Sequence, residues 1–195
     1  MPREKIAVAM SGGIDSSAAA EILKEEDRDI FGITMILPKY RDTVRSEESE
    51  MKVVREAREI CAKLGIEHEA VDLREVFETE VIDRFCRTYL SGWTPNPCVL
   101  CNPMIKFGLF LDAARERGAE KLATGHYARI EYHEASGLYQ LKKPRDLRRD
   151  QTYFLYRLSQ EQLSRVLFPL EETKKKHNRK IAAGLGVDDP WGGGS

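Results

Sequence analysis

Long apolar runs are missing from this sequence. None approaches the roughly 18 consecutive residues needed to cross a bilayer. Met1 to Lys5 is too polar to begin a secretory leader, so the default compartment is the cytoplasm and no membrane partner is expected. Cysteine is scarce: four in 195 residues do not make a disulfide-built secreted fold. A bulk charge of one sign is missing too, because 31 Lys and Arg nearly cancel 32 Asp and Glu. No internal repeat is present. The only low-complexity piece is the terminal WGGGS, which reads as natural loop or as a cloning remnant.

What is there is an ordinary globular balance, 42% hydrophobic and 32% charged, in a chain long enough for one domain plus a smaller appendage. The near-neutral total hides an uneven distribution. Lys142, Lys143, Arg145, Arg148 and Arg149 fall close together, and Lys174, Lys175, Lys176, His177, Arg179 and Lys180 form a second basic group. A polyanion could dock at either without the whole protein being basic.

KIAVAM (Lys5 to Met10) is short, apolar and followed by glycines, as a buried parallel strand should be. Asp15, Ala18, Ala19 and Ile22 then recur at helical spacing, and IFGITMI (Ile30 to Ile36) gives the next strand. Ser46 can cap a second helix with Val53, Ala57, Ile60, Cys61 and Leu64 on one stripe and Gly65 at its end. EHEAVDL (Glu67 to Leu73) predicts a third strand. Val81, Phe85 and Tyr89 mark a helix that stops before a Pro-rich loop, WTPNP. Phe107, Phe110, Leu111 and Ala114 predict another helix, and KLAT (Lys121 to Thr124) a fourth strand. This alternation predicts a doubly wound parallel α/β sheet. After His126 a hairpin is expected, with its turn near Ala135 to Gly137, and then short helices around Ser159 to Val166 and Lys174 to Ala183.

SGGIDSS puts two glycines and small hydroxyl residues where a strand turns into a helix, so that backbone N–H groups and the positive helix end can surround a phosphate. No Gly-Lys-Ser/Thr follows, and the Gly-x-Gly-x-x-Gly spacing is missing, which disfavours a Walker loop and a dinucleotide site. The bland alternative is a Gly-rich turn with Asp15 and Ser16 merely capping the helix. The motif resembles the PP-loop of ATP pyrophosphatases. That resemblance implies that Ser11, Gly12, Gly13 and Ser16 hold pyrophosphate, that Asp15 helps hold Mg²⁺, and that the α-phosphate stays open to attack.

TPNPCVLCNPMIKFG, ATGHYARI and RRDQTYFLYRLSQEQLSRVLFPL resemble the tRNA-specific 2-thiouridylases over nearly the whole chain. The resemblance implies a HUP-like, Rossmann-type domain at residues 1–130 that binds ATP and carries catalysis. Residues 131–195 become a hairpin plus a helical, tRNA-contacting appendage. The family's further C-terminal domains would be absent, and the chain would stop at or just before the place of the family's second catalytic cysteine. The implied reaction adenylates O2 of a wobble uridine, replaces that oxygen with sulfur, and releases AMP and pyrophosphate. ATP would be lined by Ala9, Met10, Ser11, Gly12, Gly13, Ile14, Asp15 and Ser16, with Met35 and Gly125. Cys101 matches the catalytic cysteine, His126 would sit in the active site, and Arg149, Asp150 and Gln151 match a segment that touches tRNA. The implied partners are tRNA, a sulfur donor (a cysteine desulfurase, a relay protein or sulfide) and a second copy of the chain.

Cys98 departs from the family, many of whose members carry Asp there. Three chemistries remain for Cys98 and Cys101: nucleophile or persulfide carrier with a resolving thiol, an iron-sulfur cluster such as [4Fe-4S] with a third ligand from elsewhere, or zinc, for which no second Cys-x-x-Cys exists. The cluster is narrowly preferred because Cys98 adds a soft ligand, and Cys86 is its reserve third ligand. Cys61 lies on an apolar stripe and reads as structural. His68 and His133 read as surface or pairing residues of strands, His177 as a solvated face, and Tyr153 and Phe154 as core packing unless they meet unstacked bases. Two other functions stay open: a PP-loop adenylating enzyme with another acceptor, and an ATP- or tRNA-binding subunit without full activity.

Overall fold

The computed structural model describes residues 3–41 and 44–187; the terminal WGGGS lies outside the described residues. In chain order, β1 (Lys5–Ala9), α1 (Ile14–Glu25) and β2 (Asp29–Ile36) are followed by a small ribbon, β3 (Tyr40–Arg41) with β4 (Val44–Arg45). Next come α2 (Glu47–Leu64) and β5 (His68–Asp72). α3 (Arg74–Phe77) runs through π-helical Glu78–Ile82 into α4 (Asp83–Leu90). α5 (Pro97–Cys101) runs likewise through π-helical Asn102–Leu109 into α6 (Phe110–Glu116). β6 (Lys121–Ala123), the hairpin β7 (Arg129–His133) and β8 (Leu138–Lys142), α7 (Gln160–Ser164), β9 (Val166–Leu167) and α8 (Lys175–Gly184) complete the order.

The core is a five-stranded sheet ordered β5-β2-β1-β6-β9, every pair parallel. Its centre follows from composition: Ile6, Ala7 and Val8 of β1 are fully buried, as an uninterrupted apolar strand covered on both faces must be. The predicted doubly wound α/β sheet is therefore present. The ends of α2 also match. Ser46 accepts the Ser49 N–H at 3.3 Å, and Gly65 closes the helix at φ 64°. Its buried stripe takes Val54 in place of the expected Val53.

Three differences matter for the site. β9 was not expected; two residues are too short to carry a pattern, yet they pair with β6 and complete the sheet. Residues 131–187 therefore enter the body of the fold through β9, and through α8 packed on α1. Second, Cys98 and Cys101 lie on helix where a loop was expected, because Asn96 accepts the Val99 N–H at 3.4 Å and Pro97 occupies the first turn, where its missing N–H costs nothing. Third, the helix predicted around Phe107 begins ten residues earlier, at Pro97. Pro103 is accommodated by the π-helical stretch and by a kink at Gly108, whose φ and ψ are both −105°. Gln162 satisfies the carbonyls freed there, its amide donating to Pro103 O at 2.8 Å and Phe107 O at 2.9 Å. Pro97–Glu116 is long and apolar enough to cross a membrane by length and composition alone. Its Ile105, Phe107, Phe110 and Ala114 are instead buried in the core.

α2 approaches β2 so closely that a Cβ on Gly32 would lie 2.4 Å from Cys61 Sγ. Cys61 is fully buried, and desolvation pushes its thiol up to about 11, which makes it a packing residue. Gly32→Ala should therefore cost about 1–3 kcal/mol in chemical denaturation. Adding Cys61→Ala should return part of that loss.

Candidate functional site

The chain runs outward in opposite directions from β1 and β6, which lie side by side in the sheet. Open α/β sheets place ligands in the crevice beyond the carboxyl ends of such strands. A cleft of about 240 Å³ lies there, lined by Ala9, Met10, Ser11, Asp15, Ser16, Met35, Lys106, Phe110, Thr124, Gly125, His126 and Gln151. It gathers most residues expected at the nucleotide and adds Lys106, Phe110 and Thr124, which the sequence reading missed. A larger recess of about 770 Å³ around Asp72, Arg74 and Glu78 lies off the sheet's edge strand, away from these groups.

At the phosphate loop, Gly12 has φ +74°, and a Cβ there would sit 2.8 Å from Glu56 Cβ. Gly13 begins α1 without any side-chain cap. Ser16 Oγ and Ser17 Oγ turn back to donate to Gly13 O at 3.0 and 2.8 Å, and the Ser11 N–H donates to Ser16 Oγ at 3.2 Å. The capping-only alternative for Asp15 and Ser16 thus fails, and the first-turn N–H groups remain available to an anion. Gly125 lies flat on this turn: a Cβ would meet Asp15 C at 2.7 Å and Ser16 N at 2.9 Å. No other residue fits without moving α1.

Asp15 is not a free carboxylate. Lys175 Nζ donates to both its oxygens at 2.8 and 2.7 Å, and Tyr127 Oη donates to Oδ1 at 2.8 Å. Asn178 Nδ2 then donates to Tyr127 Oη at 2.8 Å. Burial, and after it the Asp15 contact, raises the Tyr127 phenol.

Beside the cleft, Cys101 is half-buried and Cys98 exposed. The i→i+5 bonding of the π-helical stretch brings side chains five apart onto one side, so Lys106 follows Cys101 around the helix. Lys106 Nζ lies 3.4 Å from His126 Nε2, and His126 Nδ1 lies 2.7 Å from Thr124 Oγ1. With Lys106 charged, Nε2 accepts and Nδ1–H donates to Thr124. Burial lowers both partners, His126 well below its ordinary value with Lys106 adding to the effect. Burial also raises the Cys101 thiol, and Lys106 partly offsets this. Phe107 and Phe168, 6.2 Å from each other, pack together against the imidazole, with centroids at 5.8 and 5.9 Å from it.

Among the described residues no group of three His, Cys, Asp or Glu side chains could hold a metal, so Cys86 does not join Cys98 and Cys101. The tRNA-segment residues divide. Arg149 is exposed, and Asp150 accepts from the Thr152 N–H and hydroxyl at 3.0 and 2.7 Å. Gln151 faces inward and accepts the Tyr127 N–H at 2.9 Å. Tyr153 is 67% and Tyr156 63% exposed. Their rings are 6.1 Å apart, so core packing does not account for Tyr153. His133 and His177 are exposed, and His68 takes the pairing alternative: half-buried in β5 opposite Gly32 of β2, with Nε2 2.8 Å from Thr34 Oγ1.

A family model described as the tRNA methyl transferase HUP domain matches residues 4–189. A protein of Syntrophomonas wolfei named tRNA-specific 2-thiouridylase MnmA is 49% identical over 178 residues, covering 91% of this chain and 49% of that one. The chain spans about half the length of the curated relatives it matches. Among solved structures, a 4-thiouridine synthetase in complex with RNA and bound ATP aligns with TM-score 0.60 at 19% identity, covering 94% of this chain and 41% of that one. The U34-tRNA thiolase NcsA of Methanococcus maripaludis with its [4Fe-4S] cluster aligns with TM-score 0.52 at 20% identity, covering 96% and 60%. At these identities the structural likeness is one of fold.

Burial lowers both His126 and His68. The unfolded chain takes up their protons below about pH 6.5 and the folded chain only at lower pH, so the stability they contribute is full above that pH and is lost as pH falls. The denaturation midpoint should drop between about pH 7 and pH 5. His126→Gln should flatten part of that slope.

Proposed function

The chain belongs to the tRNA methyl transferase HUP domain family, and from that premise we propose that it is the ATP-using catalytic portion of a cytoplasmic tRNA-uridine 2-sulfurtransferase. The observation that carries this reading is one cleft lined by an uncapped Gly-rich turn and a Lys106–His126 pair, with Cys98 and Cys101 on the helical run that carries Lys106 and close enough to interact with its charge.

A polyphosphate can use the start of α1, because Gly13 leaves it without a side-chain cap and Gly12 holds the preceding turn at φ +74°. Ser11, Gly12, Gly13 and Ser16 would hold the pyrophosphate end with backbone and hydroxyl donors. Met35, half-buried at the cleft, offers apolar surface to the base. Uridine O2 attacks the α-phosphate, and pyrophosphate leaves on the side held by the loop. Lys106, the one Lys or Arg among the described cleft residues, stabilises the charge that develops there. His126, neutral and oriented by Thr124, is placed to contact the target base. Arg149 and the exposed Tyr153 and Tyr156 offer a phosphate contact and stacking faces to tRNA.

Sulfur is delivered by thiol chemistry. A donor loads Cys101 as a persulfide, the terminal sulfur attacks C2, and AMP leaves with the original oxygen. Cys98, one helical turn away, attacks Cys101 Sγ, releasing the thiolated base and forming a Cys98–Cys101 disulfide that a thiol reductant reopens. A cluster on Cys98 and Cys101 would take its third ligand from a missing segment or another chain, since the described residues supply none.

With ATP, Mg²⁺ and tRNA, the products should be AMP and pyrophosphate; ADP would overturn the reading. Cys101→Ser should abolish 2-thiouridine while ATP binding persists. Lys106→Met should slow AMP formation by about a hundredfold or more.

A further inference from the structure

The second basic group along the chain does not face solvent as a unit. Lys174, Lys176, His177 and Lys180 are exposed, but Lys175 turns inward, its side chain 19% exposed, to form the ion pair with Asp15 in the phosphate loop. Three contacts fix it there. The Lys175 N–H donates to Asp146 Oδ2 at 3.1 Å, which anchors the start of α8. Nζ bridges both Asp15 oxygens, and Tyr127 Oη, itself held by Asn178, completes the carboxylate's shell. A protein cation therefore occupies the carboxylate best placed to take a metal beside the phosphates.

On the reading that this loop binds ATP, we propose that Lys175 is the resident counter-ion of the ATP site. It neutralises Asp15 in the ligand-free protein, competes with Mg²⁺ for that carboxylate, and lets the loop accept ATP before the metal arrives. Without Lys175 the ATP tetra-anion meets an uncompensated negative charge at the mouth of the loop. Mg²⁺ removes that penalty by taking the same carboxylate. A purely structural lysine would instead affect ATP binding equally with and without metal.

The test is ATP binding by titration calorimetry to the wild type, Lys175→Met, Lys175→Arg and the charge-balanced Asp15→Asn/Lys175→Met double variant, each in EDTA and in excess Mg²⁺. In EDTA, Lys175→Met should bind ATP about tenfold more weakly than wild type, a size that allows for partial solvent screening of the pair. Excess Mg²⁺ should restore it to near wild type, with half-restoration at lower Mg²⁺ than wild type needs. Lys175→Arg should follow wild type. The double variant should recover wild-type affinity in EDTA, which separates charge from misfolding. Equal loss in both conditions, or no loss in EDTA, would overturn the proposal. A wild type that binds no ATP in either condition would overturn the ATP reading and this proposal with it.

Discussion

The contact on which the rest depends is the approach of Gly125 to the first turn of α1. With its missing side chain's place 2.7 Å from Asp15 C, this glycine lets the end of β6 lie against the helix start that follows β1. The crevice at the strand reversal is narrow because of it. One residue further, His126 points into the cleft toward Lys106; two further, Tyr127 reaches Asp15. Any Cβ at position 125 would pry these groups apart together.

The second constraint is the kinked helix from Pro97 to Glu116. A regular helix would turn Lys106 away from Cys101, and Pro103 could not sit in its interior without stranding a carbonyl. The π-helical stretch brings Lys106 round toward Cys101, and Gln162 takes the Pro103 and Phe107 carbonyls beside the Gly108 kink from across the fold. Gln162 also belongs to the capping box of α7 with Ser159. The segment after residue 130 thus supports the shape of the helix that carries the cysteines.

Much of this was legible in the residues. Apolar runs bounded by glycine marked β1, β2, β5 and β6, and Ser46 and Gly65 marked the ends of α2, because these signals are local. The Gly-rich turn from β1 into α1 was legible for the same reason. What escaped depended on contacts distant in sequence. β9 has too few residues to show a period, and the helical setting of Cys98 was hidden by three prolines that ordinarily break helices. Lys175 belongs, by sequence, to a basic group open to a polyanion, and only the packing of α8 on α1 turns it toward Asp15, 160 residues away. Lys106 carried no signal of its own. Its importance comes from burial beside His126, which only the folded chain reveals.

The central claim is that the uncapped phosphate loop holds pyrophosphate and presents the α-phosphate of ATP to an oxygen of uridine. Thiolation of tRNA carrying ¹⁸O at uridine O2, followed by mass spectrometry of the nucleotide product, tests it most directly. The account predicts that AMP carries the label in step with 2-thiouridine formation. Label found in pyrophosphate or inorganic phosphate, or unlabelled AMP beside thiolated tRNA, would contradict it.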